Sequence, residues 1–494
     1  MLEYLKQEAN QTYTENGALT YATTGSHCLD LFATIGALRS SEEAEILKRF
    51  VRAYTENPDL AMKTLFFARD IRGGLGEQSV FRIILRYLAK NKAESVKKNL
   101  PYIAEYGRWD DLLCLLNTPC EKAALELIKT QLQEDLSSLD MGDEVSLLAK
   151  WLPSVNASNT ETVRQAKRIA RFLKMDDATY RKTLVKLRSR IRILENHLRE
   201  KDYTFDYEKQ PSKAMLKYRK AFLRNDGQRY GEFLNKVTKG EAKLHADTLQ
   251  PYELVAPYLS TDRYWCSYMR SISEEEKQSL NATWASLPAF ENRENALAVI
   301  DTSGSMYSCG KPLPGAVALS LGLYFAEHNT GAFRNHIIEF SSRPQLIEIQ
   351  GETFADRLQY LATFSEVATT NLEAVFDLIL RTAVKNNVPR EELPATLYII
   401  SDMEFNCCVR NADATNFETA KAKFAAAGYK LPRVVFWNVQ SRNTQQPVTV
   451  NEEGVALVSG CSPRIFSMVQ SGELSPMRFM LQTLNAERYA NIAA

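Results

Sequence analysis

The hydrophobic period changes once along this chain, near residue 290, and that change limits the fold more than any other feature. Before it, apolar residues recur three and four apart. Leu29, Phe32, Ile35 and Leu38 keep that spacing, as do Leu60, Phe67 and Ile71, then Val80, Ile83, Ile84 and Tyr87. Such spacing lines one face of a helix. The breaks are short, at Asn57-Pro58, Gly73-Gly74, Asn117-Thr118-Pro119 and Leu152-Pro153, where Pro and Gly end one helix and turn the chain into the next. Arg72-Gly73-Gly74 reads as a helix-ending turn with glycine in a left-handed conformation. Many helices with short breaks predict stacked pairs, an α-helical repeat (HEAT-like) unit that could close into a ring. No fixed sequence period is visible, so the repeat is inferred from the helices alone.

Beyond residue 290, short continuous apolar runs take over, at 296–300, 336–340, 396–400, 433–437 and, more weakly, 455–458. A strand buried on both faces needs such a run. Helical stretches separate them, at about 313–328, 371–386, 416–427 and 475–486. Strands alternating with helices predict an α/β doubly wound, Rossmann-like sheet. The expected division is 1–290 for the helical unit and 291–494 for the α/β unit, with 250–290 connecting them.

Composition narrows the class. Of 494 residues, 45% are hydrophobic and 24% charged, which excludes global disorder. No apolar run approaches the ~18 residues of a membrane span. The opening stretch, MLEYLKQEANQTY, has no basic start followed by an apolar core, so no signal peptide is expected. Eight Cys include no CxxC, and there are five His. A zinc site and a disulfide scaffold are therefore not expected, and a cytoplasmic protein with reduced thiols is.

Ligands of doubly wound sheets sit beyond the carboxyl ends of the strands. There the first run leads straight into Asp301-Thr302-Ser303-Gly304-Ser305, and the 396–400 run leads into Ser401-Asp402. Between them, Thr369-Thr370-Asn371-Leu372 opens a helix. Two carboxylates with several hydroxyls suit a hard cation, Mg²⁺ or Mn²⁺, with a ligand position left open. The same residue types also cap helices and satisfy loop amides. No GxSxG elbow marks Ser303 as a nucleophile. The loop is expected at the surface, where Asp301→Ala would cost metal binding but not the fold.

DxSxS after an apolar strand, then a Thr, then an Asp after another strand, resembles the metal-ion-dependent adhesion site of von Willebrand factor A domains. The resemblance implies Asp301, Ser303, Ser305, Thr370 and Asp402 as the metal residues, with Thr369 competing for the Thr position. In the helical part, Ala68-Arg69-Asp70-Ile71-Arg72-Gly73-Gly74-Leu75-Gly76-Glu77 and Tyr106-Gly107-Arg108-Trp109-Asp110-Asp111-Leu112-Leu113 resemble motifs of the TROVE module of Ro autoantigen-like proteins. Those proteins join a helical ring to a von Willebrand A domain in this order. The resemblance implies binding of small non-coding or misfolded RNA by the ring.

A net charge of +1 hides a basic segment. Residues 151–250 hold 23 Lys/Arg against 12 Asp/Glu, a local excess of +11. Arg164, Lys167, Arg168, Arg171 and Lys174 fall on overlapping helical faces. Lys213, Lys217, Lys220 and Arg224 fall at i, i+4, i+7 and i+11, one continuous stripe. Tyr218, Phe222 and Tyr230 lie among them, placed either to stack on bases or to be buried. Aligned cations of this kind fit a phosphate track or a solvated face. Arg72 and Arg108 are further RNA candidates.

These observations predict an RNA-binding protein carrying Mg²⁺ (or Mn²⁺). The alternative is a scaffold whose metal binds a protein partner, with no RNA. A metal-dependent nuclease is the lesser option, because no general base is evident beside the carboxylates. No enzymatic activity and no membrane contact are expected.

Overall fold

The computed structural model describes residues 1, 5, 9–191, 193–261, 267–290, 294–308, 310–340, 343–364, 370–406, 414–470 and 474–494. It begins with a small antiparallel hairpin, β1 (Gln11–Tyr13) and β2 (Leu19–Tyr21). The helices α1 (His27–Thr34), α2 (Glu43–Glu56), α3 (Pro58–Arg69), α4 (Ser79–Asn91), α5 (Ala93–Asn99) and α6 (Tyr102–Tyr106) follow. Next come α7 (Glu121–Met141), α8 (Leu148–Trp151), α9 (Thr160–Phe172), α10 (Asp177–Ile191), α11 (Leu194–Glu200), α12 (Ser212–Asn225), α13 (Gly227–Thr238) and α14 (Tyr252–Val255). A second hairpin, β3 (Leu259–Thr261) and β4 (Ser267–Met269), leads to α15 (Glu274–Ala285).

Local sequence explains these elements. In α2, Ile46, Arg49, Phe50 and Ala53 are the buried residues, at spacings of three, one and three that make a single stripe. Asn57 caps α3 by accepting from the Leu60 amide at 3.0 Å, and Pro58 takes the first turn, where no amide proton is needed. The turn after α3 differs from the expected one. Its left-handed glycine is Gly76, at φ 73°, not Gly73 or Gly74. Gly74 is required for space instead: a Cβ there would meet the Phe67 carbonyl oxygen at 2.0 Å.

The C-terminal part is a six-stranded sheet: β5 (Ala296–Ile300), β6 (His336–Glu339), β7 (Gln345–Glu348), β8 (Thr396–Ser401), β9 (Arg433–Asn438) and β10 (Val455–Ser459). Their order across the sheet is β10-β9-β8-β5-β6-β7. Neighbours run parallel, except that β7 runs antiparallel to β6 at the edge. The helices are α16 (Ser305–Ser308), α17 (Pro314–His328), α18 (Phe354–Leu361), α19 (Leu372–Asn386), α20 (Asn416–Ala426), α21 (Arg464–Val469) and α22 (Pro476–Leu484). The five strands expected from continuous apolar runs are all present. The edge strand β7 is additional; it is short and mostly exposed, so it carries no such run.

Alternate strand residues enter different cores. Ala296, Ala298, Ile300, Tyr398, Ile400, Val435 and Trp437 join the cluster that continues into the helical half through α17. Leu297, Val299, Leu397, Ile399, Val434 and Phe436 pack with Leu372, Val375 and Phe376 of α19 and Phe417 and Phe424 of α20. Both faces are therefore covered, which is why the runs are unbroken. The helical half meets the sheet closely. A Cβ on Gly36 would lie 2.7 Å from the Ser459 carbonyl oxygen at the end of β10. Among the described residues, no helix is long and apolar enough to cross a membrane.

Candidate metal centre

The chain leaves β5 in one direction, through β6 to β7, then returns to place β8 on the other side of β5. That reversal opens a crevice at the carboxyl ends of β5 and β8. Ile300 pairs with Ile400, so Asp301 and the Ser401-Asp402 step emerge side by side. The Asp301 amide donates to the Ile400 carbonyl at 3.0 Å and carries the ladder into the loop.

Four of the five motif residues form one connected group. Asp301 Oδ1 accepts from the Ser303 amide at 2.9 Å, and Asp301 Oδ2 accepts from Ser401 Oγ at 2.5 Å. Ser303 Oγ and Ser305 Oγ are 3.0 Å apart. Ser305 also bonds to Asp402. Asp402 Oδ1 accepts from the Glu404 amide at 3.2 Å, and Asp402 Oδ2 accepts from Arg442 Nη2 at 2.8 Å. The fifth residue, Thr370, stands just before α19. It is tied to the loop after β8 through Asn406: the Thr370 amide donates to Asn406 Oδ1 at 2.8 Å, and the Asn406 amide donates to the Thr370 carbonyl at 2.8 Å. Met403, next to Asp402, takes a left-handed φ of 67°, a strained conformation that clusters at functional loops. Thr369 and the Cys407-Cys408 pair lie outside the described residues.

The expectation of a surface loop is corrected here. Asp301 is 0% exposed and Asp402 1%, and Arg442 from the loop after β9 sits directly on Asp402. Burial pushes the Asp301 carboxyl above the ordinary range, against the hydrogen bonds from Ser401 and Ser303. Burial and then the charge of Asp301 push Asp402 up to about 6, with Arg442 and Ser305 opposing. Two buried carboxylates thus face one arginine. Among the described residues, no cluster of three or more His, Cys, Asp or Glu is placed to hold a metal ion. A cation at this crevice would rest on two carboxylates, serine and threonine hydroxyls and water, a donor set that fits Mg²⁺ or Mn²⁺ and not zinc.

A model described as a domain of unknown function (DUF2828) matches residues 14–129 and 122–289. The chain belongs to the DUF2828 family. A second domain of unknown function (DUF7788) matches residues 295–478 of this DUF2828 protein. An uncharacterised protein of Acanthamoeba polyphaga mimivirus is 30% identical over 514 residues, covering 96% of this chain and 87% of its own. The crystal structure of the RO (RSR) protein of Deinococcus radiodurans is similar over 89% of this chain and 93% of its own, at 14% identity and a TM-score of 0.45.

The basic candidates of this DUF2828 chain divide into those held in ion pairs or local bonds and those outside ion pairs. Arg164 pairs with Glu161 at 3.5 Å, Lys167 with Asp177 at 3.3 Å, and Arg168 holds Glu121 through two bonds of 2.5 and 2.7 Å. On α12, Lys213 pairs with Glu253 at 3.2 Å and Lys220 with Glu276 at 2.9 Å. Arg108 grips Asp110 through two bonds of 3.0 Å and lies 4.1 Å over the Trp151 ring. Arg72 donates to the Glu105 carbonyl at 3.0 Å. Arg171, Lys174, Lys217 and Arg224 are exposed and make no ion pair among the described residues. Phe222 and Tyr230 are buried in an aromatic cluster with Tyr207, so neither is available to stack on a base. Three of the acidic partners, Glu121 of α7, Glu253 of α14 and Glu276 of α15, lie outside residues 151–250, so the charge count of that segment did not show them.

Sequence reading missed Arg442, Ser401's bond to Asp301, and Glu404. Arg442 had a local signal, standing four residues past a parallel strand in the third loop of the same edge. Glu404 had none.

Proposed function

We propose that this DUF2828 protein is a TROVE-like RNA-binding protein whose sheet is a von Willebrand A-type domain holding Mg²⁺ (or Mn²⁺). The observation that carries the reading is the linked group of Asp301, Ser303, Ser305 and Asp402 at the reversal of strand order, with Thr370 tied through Asn406 to the loop that follows Asp402. The antiparallel edge strand β7 and helices on both faces support the same domain type. A cation held there would offer a coordination position to an acidic or phosphate oxygen. Asp301 is fixed by Ser401 and the Ser303 amide, and Asp402 by the Glu404 amide and Arg442. Both carboxylates are thereby committed, so the site reads as one for binding and not for catalysis. The RNA reading rests on the +11 excess and on the exposed cations outside ion pairs, Arg171, Lys174, Arg224 and Lys217, the last lying 4.7 Å over the Tyr218 ring.

A second reading, a metal-dependent protein scaffold, draws on the ion pairs that already neutralise Lys213, Lys220, Arg164 and Arg168. One preparation separates the two. The protein is purified from its host without nuclease, and any bound nucleic acid is extracted and sequenced. A defined set of small RNAs, displaced by salt, supports the first reading. A nucleic-acid-free preparation with a stoichiometric protein released by chelator replaces it with the second.

A further inference from the structure

Arg442 reaches two acids at once. Its Nη2 donates to Asp402 Oδ2 at 2.8 Å, and its Nη1 lies 3.0 Å from Glu15 Oε2. Its Nε is buried and meets no acceptor among the described residues. The backbone on either side is pinned by the helical half. Arg49 of α2 donates to Ser441 Oγ at 2.7 Å and to the Asn443 carbonyl at 3.0 Å. The Ser441 amide donates to the Ala37 carbonyl at 3.1 Å. The side chain is only 24% exposed.

Glu15 belongs to the turn of the β1–β2 hairpin, which is docked on the loop after β8. The Glu15 amide donates to Glu404 Oε2 at 2.8 Å, Asn16 Nδ2 to the Glu404 carbonyl at 2.6 Å, and Thr14 Oγ1 to the Phe405 carbonyl at 2.6 Å. Asn443 Nδ2 bonds to Glu15 Oε1 and Glu404 Oε1, each at 3.0 Å. The hairpin, the loop after β8 and the loop after β9 therefore meet around Arg442, at the rim of the cation site.

A guanidinium and a divalent ion placed on one buried carboxylate repel each other strongly in such a medium. We infer that Arg442 is the resident counter-charge of the cation site, exchanged for the divalent ion, and that Glu15 couples the N-terminal hairpin to that exchange. The inference rests on the reading of Asp301 and Asp402 as cation ligands. Without the ion, Arg442 bridges Asp402 and Glu15 and the hairpin stays docked. With the ion, Arg442 gives up Asp402, its hold on Glu15 is displaced from the rim, and the hairpin loosens from residues 402–406. Arg442 also sets selectivity for charge, since a monovalent ion brings no more charge than the arginine it displaces.

The test titrates Mn²⁺ into the chelator-stripped full-length chain, as wild type, Arg442→Gln and Arg442→Lys. Amide exchange of residues 11–21 is followed with Mn²⁺ and with chelator. Arg442→Gln is expected to bind Mn²⁺ about tenfold tighter, because one positive charge is gone from a partly screened site. Arg442→Lys keeps the charge and should bind like wild type. In wild type, the hairpin amides should exchange faster with Mn²⁺ than with chelator; in Arg442→Gln that difference should vanish. Equal Mn²⁺ affinity in wild type and Arg442→Gln, with a hairpin indifferent to the ion, overturns the inference and leaves the cation site standing. Absence of Mn²⁺ binding in every form overturns the site and the inference together. Should Arg442→Gln fail to fold, the wild-type exchange comparison decides alone.

Discussion

Burying two carboxylates within each other's field is costly, and Asp301 and Asp402 show how single residues offset it. Each oxygen of Asp301 has a donor, one a backbone amide and one the Ser401 hydroxyl. Asp301→Ala therefore orphans two buried donors, at a cost of about 1–3 kcal/mol for each. The urea midpoint should fall accordingly; an unchanged midpoint would mean that water replaces the carboxylate freely. Asp70 makes a second case. Burial alone would raise its carboxyl, but Arg488, the amides of Gly73 and Arg72 and the Tyr489 hydroxyl hold it below the ordinary aspartate range. A depressed folded-state value gives stability that is present above about pH 4 and lost as pH falls through the folded value. Asp70→Asn should thus cost about 2–3 kcal/mol at pH 7, with Arg488 partly exposed and screened. That gap should narrow below pH 4, as read from denaturation midpoints; a gap constant with pH would remove the carboxylate from the explanation. At this scale the motif residues were legible because DxSxS is local and follows a strand. Glu15 and Arg442 were not, because their pairing joins positions more than 400 residues apart in sequence.

Elements were legible in proportion to their burial. β5, β8, β9 and β10 are buried along nearly their whole length, and that alone writes a continuous apolar run. β7 and the two hairpins are three or four residues long and owe their shape to neighbours, so no local pattern marks them. The stripe on α12 was legible as geometry, since Lys213, Lys217, Lys220 and Arg224 all lie on its exposed side. Its partners on α14 and α15 were not. This separates two groups of substitutions. Replacing Arg171, Lys174, Lys217 and Arg224 with Gln should weaken binding of a short hairpin RNA. It should also flatten the salt dependence by about one unit of slope for each phosphate left unneutralised. Replacing Lys213 and Lys220 should change the slope less, because Glu253 and Glu276 already neutralise them. Equal effects from the two groups would mean that RNA displaces the ion pairs.

The whole molecule behaves as two patterns sharing one core. The cluster that fills the helical half continues through α17 into one face of the sheet, and the last turn of the chain returns to the helices. There Arg488 Nη2 donates to Asp70 Oδ1 at 2.7 Å, and the Tyr489 hydroxyl donates to Asp70 Oδ2 at 2.9 Å. The change of hydrophobic period near residue 290 separates the patterns and says nothing of this interlock. Residues 1–290 expressed alone should therefore expose Phe32, Phe67 and Tyr106, bind a hydrophobic dye and self-associate on gel filtration. A monomeric fragment with a cooperative melt would show instead that the core divides. At the carboxyl edge of the sheet, the reversal of strand order, the left-handed Met403 and two buried carboxylates meet. The most direct test is calorimetric titration of Mg²⁺ into the chelator-stripped full chain and its Asp301→Asn variant, a near-isosteric change that keeps the loop's shape. Saturable single-site heat is expected in the wild type and none in a folded Asp301→Asn protein; no heat in the wild type, or the same heat in both, would contradict a Mg²⁺ site at Asp301.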